Sequence, residues 1–134
     1  MSTSDVVVPS WPVPRGYANG CVGHGEPVHV AGQIGWTADG AFPDLTLLGQ
    51  FDRALENVLA VVGAAGGAAT DIATMTVYVT DIAGYRAIRR ELGPVWRARM
   101  GTHYPAMALV GVSALVESQA LIEISAIAYV ERAP

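Results

Sequence analysis

A chain of 134 residues can bury one hydrophobic core and has no room for a second. Apolar residues make up 51% of it and charged residues only 15%, against roughly 25% charged in an average soluble domain, so part of the surface is expected to be covered by further copies of the chain. The net charge is −4 and no lysine is present, which argues against nucleic acid as the main partner, since neutralising phosphate needs clustered basic side chains.

Cys21 is the only cysteine, so neither an intramolecular disulfide nor a thiolate metal cluster is expected. The opening MSTSDVVVPSWPVPRG lacks the basic start and long apolar run of a secretory signal. No stretch approaches the ~20 uninterrupted apolar residues that span a bilayer. The expectation is a cytoplasmic protein that uses neither membrane nor cofactor.

Residues 1–16, with Pro9, Pro12 and Pro14, read as an extended N-terminal arm, followed by a single domain over 17–134. Short strands are predicted near 20–22 and 28–34, joined by the turn-rich GHGEP. Alternation in VHVAGQI puts Val28, Val30, Gly32 and Ile34 on one face and His29, Ala31 and Gln33 on the other. A helix over about 45–65 follows from Phe51, Leu55, Val58, Leu59 and Val62, which form one apolar stripe ending at Gly66-Gly67. TMTVYVTD is a strand. Asp81 then caps a second helix carrying Tyr85, Ile88, Leu92, Val95 and Trp96. Strands over about 106–112 and 120–130 close the order β-β-α-β-α-β-β.

Neither helix is expected to join parallel neighbours, and an α+β two-layer fold, both helices on one face of a mixed sheet, fits this order. In the last strand Ile122, Ile124, Ala126, Ala128 and Val130 form one row; Leu121, Glu123, Ser125, Ile127 and Tyr129 form the other. Both rows are mostly apolar. The face without helices therefore calls for another subunit. A carboxylate at Glu123 on that face is costly unless partnered, which singles it out.

The pieces AGQIGW (31–36), QFDRALENVLAVVGAAG (50–66), TVYVTDIAGY (76–85), YPA (104–106) and IEISAIA (122–128) together resemble the Rid family of reactive intermediate deaminases, the YjgF-like proteins. The resemblance runs from about Tyr17 to Val130. It implies a chorismate-mutase-like fold, a homotrimer with small-molecule pockets between subunits, and hydrolysis of reactive imines or enamines to ketones and ammonia. It also implies a substrate-gripping arginine and a glutamate beside the attacking water.

Carried onto this chain, Tyr17, Gly32 and Glu123 match pocket positions. Ala31 stands where a serine is usual, Leu109 where the archetypes have cysteine, and Arg89 where they have asparagine. The arginine expected directly after the Pro-Ala of YPA is Met107. A thioether donates no hydrogen bond, whereas Arg binds carboxylate through two charge-assisted ones. Losing that clamp in a dry pocket costs on the order of 2–4 kcal/mol, roughly two to three decades of affinity. Efficient turnover of small 2-imino acids is therefore not expected.

Glu123 is the candidate catalytic group, orienting water or shuttling a proton to the leaving amine; the bland reading is an interface glutamate held by backbone N–H groups. Tyr17 is set to hydrogen-bond a ligand or simply to pack on the arm. Arg89 supplies an anion-binding charge displaced from position 107, or lies solvated over Trp96. His103 is a candidate acid or base near the pocket, against the common case of an exposed loop histidine. Met107 lines the pocket or core. His24, Glu26 and His29 share only composition with a metal site, and no metal is expected. Cys21 has no basic neighbour to activate it. The functional expectation is a divergent imine or enamine hydrolase; the alternative is a trimer that binds a small ligand without turnover.

Overall fold

The computed structural model describes residues 2–131, so the expected domain boundary at 134 lies outside the described residues. The elements are β1 (Thr3–Asp5), β2 (Cys21–Gly23), β3 (Glu26–Ile34), α1 (Leu47–Ala64), a 3-10 turn (Ala69–Asp71), β4 (Ile72–Val79), α2 (Ile82–Ala87), α3 (Arg89–Met100), β5 (Ala106–Gly111) and β6 (Ile122–Val130). β3, β6, β4 and β5 form a four-stranded sheet in that order, and β1 pairs with β2 in a small sheet of its own. β6 runs antiparallel to both β3 and β4, while β4 and β5 are parallel. The fold is α+β with a mixed sheet, as expected. The parallel β4–β5 pair is a correction, because α2 and α3 form a crossover between parallel neighbours.

α1 begins where Thr46 accepts a hydrogen bond from the Gly49 N–H at 3.1 Å. It buries Gln50, Phe51, Ala54, Leu55, Val58 and Val62 against the sheet. The apolar members of this set meet Val30, Met75, Val77, Ile122, Ile124, Ala126 and Ala128 in one core. Each large side chain buried there contributes roughly 1.5–3 kcal/mol. Gly66, at φ 93°, ends the helix as its sequence predicts. The expected second helix is divided at Ile88 (φ −105°, ψ 13°), which places Arg89 at the first position of α3.

The other departure is a bulge in β3. Val30 pairs with Ala126, but Gln33 pairs with Ile124 and Ile34 with Glu123, so the register shifts between residues 30 and 33. The alternation expected for Gly32 and Ile34 is inverted there, as an extra residue in a strand must do. A Cβ built on Gly32 points into the Glu123 side chain, so Gly32 belongs to the face away from the helices.

Candidate functional site

Strand register sorts the candidate residues onto two faces. Met107 pairs with the buried Met75 and Leu109 with the buried Val77, which puts both on the helix side of edge strand β5. Glu123 pairs with Tyr78 and Ile34, on the opposite side. Within the chain the sheet therefore separates Glu123 from Met107.

On the helix side, Met107 and Leu109 form the floor of a groove of about 340 Å³. Phe51 of α1, Tyr85 of α2, and Leu92, Trp96 and Arg97 of α3 form its walls. The wall is fixed by aromatic packing. The Trp96 and Tyr104 rings stack with centroids 5.7 Å apart and planes 6° from parallel. The Trp96 indole N–H donates to the His103 carbonyl at 3.1 Å. Burial pushes the Tyr85 hydroxyl up from its ordinary pKa, and the nearby positive charge of Arg89 draws it part of the way back.

The groove adjoins a second cavity of about 460 Å³ under the N-terminal arm, since Gly16 and Tyr104 line both. Tyr17 and His103 lie in this second cavity with Trp11 and Val13. The chain reaches it because Ala18 forms a parallel bridge to Ala106 beyond the edge of β5. Tyr17 is half exposed. His103 is partly buried rather than an open loop residue. Its Nε2 lies 2.7 Å from the Ile72 carbonyl oxygen, which can only accept, so Nε2 carries the hydrogen and Nδ1 is left for other partners.

On the open face, Glu123 is partly buried against Gly32, and its carboxylate has no hydrogen-bonding partner among the described residues. Ala31 is exposed beside the same bulge. Thr74, Thr76, Ser125, Ile127 and His29 continue this face as a shallow hollow. Among the described residues no three His, Cys, Asp or Glu side chains converge as metal ligands. At Cys21, burial first and the negative charge of Asp5 second push the thiol up, which disfavours a thiolate.

The structure thus brings Tyr17 and His103 together and sets Met107 in the adjoining groove. Gly32, Ala31 and Glu123 lie on the far face. Arg89 is exposed and outside the groove wall, beside Tyr85. The cation in the wall is Arg97, which sequence reasoning missed. The available signal was Gly93 one helical turn earlier, whose missing side chain leaves room for a long one to fold back.

This α+β fold with a mixed sheet is shared with solved structures of YjgF-like proteins. The Rid protein YyfB from Yersinia pestis, described as of unknown function, matches with a TM-score of 0.81 at 28% identity over 97% of this chain and 100% of its own. TdcF from E. coli, solved with bound serine, matches with a TM-score of 0.69 at 31% identity over 96% of this chain and 99% of its own. Residues 12–130 match the family model described as Endoribonuclease L-PSP. A RutC family protein of Pyrococcus abyssi is 31% identical over 121 residues, 90% of this chain and 91% of that protein. The chain belongs to the Rid family.

Proposed function

We propose that the protein is a homotrimeric hydrolase of a reactive imine or enamine with a larger apolar body than the archetypal substrates. The observation that carries this reading is Glu123, a partly buried carboxylate without a partner on a sheet face without a cover. A second protomer seated on that face excludes water from it and brings its own edge groove to the cleft, which one protomer alone cannot do.

In the cleft, Glu123 takes a proton from water as the oxygen attacks the imine carbon, forming the C–O bond of a carbinolamine. Glu123 then returns that proton to nitrogen. Glu123 next takes the remaining hydroxyl proton and passes it to the amine nitrogen as the C=O bond forms and the C–N bond breaks, so ammonia leaves and the ketone remains. The apolar floor at Met107 and Leu109 accommodates the substrate body. RNA is a poorer candidate, because a chain of net charge −4 without lysine has little to offer a phosphate backbone.

Ketone release is measured from aromatic and small aliphatic imines generated in situ. Glu123→Gln is expected to lower kcat/KM for the aromatic imine by about a hundredfold or more, the usual scale for losing a general base. A variant as active as the parent, or a monomer by light scattering, overturns the reading. Ligand binding without any turnover instead supports the non-catalytic trimer.

A further inference from the structure

Arg97 has no role in the reading above. It is the one charged residue in the wall of the edge groove among the described residues. Its guanidinium folds back along α3 over Gly93, where Nη1 would lie 3.2 Å from a Cβ built on that glycine. No carboxylate pairs with it among the described residues. Two residues on, Arg99 is held by Asp52 at 2.8 Å and Glu56 at 3.2 Å. The last turn of α3 therefore carries two arginines, one neutralised against α1 and the other, Arg97, unneutralised over the groove.

We propose that Arg97 anchors a carboxylate at the mouth of this groove, so that the ligand is a flat apolar or aromatic body ending in a single negative charge. This rests on the groove being the ligand cleft. The walls support the body: Trp96 stacked on Tyr104, with Phe51, Leu92, Met107 and Leu109 around them, gives an apolar slot of about 340 Å³, near the small end of ligand pockets. The planar guanidinium supplies the paired donors that a carboxylate needs. A single cation in the wall matches one negative charge better than a phosphate dianion. Tyr85 adds a neutral hydroxyl donor on the same wall. The charge that Met107 lacks is thus supplied from α3, several side chains away, which favours long ligands over short ones.

Calorimetric titration with phenylpyruvate, its uncharged methyl ester and pyruvate tests this. Phenylpyruvate is expected to bind at least tenfold more tightly than either comparator. Arg97→Gln should abolish the gap between acid and ester, and Arg97→Lys should retain part of it. Equal binding of acid and ester by the parent, no binding of any probe, or a gap abolished by Arg89→Gln but not by Arg97→Gln would each overturn the proposal. Because the readout is binding, the two readings fail separately. The expected gap without imine turnover removes only the hydrolase, and turnover without a gap removes only the Arg97 anchor.

Discussion

The Glu123 carboxylate occupies the space that a side chain on Gly32 would fill: a Cβ built there lies 2.6 Å from Glu123 Oε2 and 2.7 Å from its Cδ. The β3 bulge creates this relationship by turning Gly32 toward the open face. Gly32→Ala should therefore displace a flexible side chain rather than backbone. We expect ketone release to fall at least tenfold, approaching the level of Glu123→Gln, with a shift in Tm of only a few degrees. Adding Glu123→Ala to Gly32→Ala should cost no further stability, because the overlap disappears with the carboxylate. Activity unchanged in Gly32→Ala would show that the placement of Glu123 does not matter.

Met107 offers a test in the opposite direction. It is 38% exposed on the groove floor, so a longer polar side chain fits without disturbing the core. Met107→Arg should raise kcat/KM for 2-iminopropanoate by about ten- to a hundredfold, part of the two to three decades that a carboxylate clamp is worth. Crowding of two guanidiniums, with Arg97 in the same wall, keeps the gain below the full value. A flat response, measured as ketone release at low substrate, would mean that small substrates fail for a reason other than the missing donor.

The layers, the core stripe of α1 and both faces of β6 were legible in the sequence because each rests on a simple period over a long run. Glu123 stood out for the same reason, as a charge in an apolar row. The misread features break a period. Gly32 in the middle of β3 was the signal of a bulge, and strict alternation through it assigned Gly32 and Ile34 to the wrong face. The parallel β4–β5 pair was hidden because crossover direction leaves no mark in local alternation. Arg97 was hidden because its role depends on which acids α1 presents to α3. Asp52 and Glu56 reach Arg99 and not Arg97, a matter of packing that composition does not record.

The N-terminal arm depends on Asp71. Its Oδ1 accepts from the Ser2 hydroxyl at 2.5 Å, its Oδ2 from the Ala68 N–H at 2.8 Å, and Thr3 adds a bond to the Thr70 carbonyl at 2.5 Å. Burial pushes the Asp71 carboxyl up, but these donors outweigh it and hold its pKa below the usual 3.8. A carboxyl depressed by folding contributes stability that is fully present above 3.8 and lost as the pH falls through the lower folded-state value. Amide exchange in β1 should accelerate below about pH 4 while the β6 amides stay protected. Asp71→Asn should give fast β1 exchange already at pH 7 and remove most of the acid dependence. Slow exchange in that variant would assign the pinning to Thr3 and the β1–β2 pairing instead.

Gln50 links α1 to the strand that carries Glu123. Its side chain is fully buried; the amide N–H donates to the Gln119 carbonyl at 2.9 Å, and its Oε1 accepts from the Leu121 N–H at 2.8 Å. Both backbone groups lie just before β6 begins. Gln50→Leu keeps the volume but strands a buried donor and acceptor, at about 1–3 kcal/mol each. Thermal unfolding should show a loss of several degrees. Gln50→Glu keeps the acceptor but turns a buried carboxylate toward the Gln119 carbonyl, so its stability should fall further at pH 8 than at pH 5, where protonation restores a donor. If Gln50 also holds Glu123 in register, Gln50→Leu should lower kcat more than it raises KM, since the groove is built from other elements. Loss of stability with kcat unchanged would confine Gln50 to the fold.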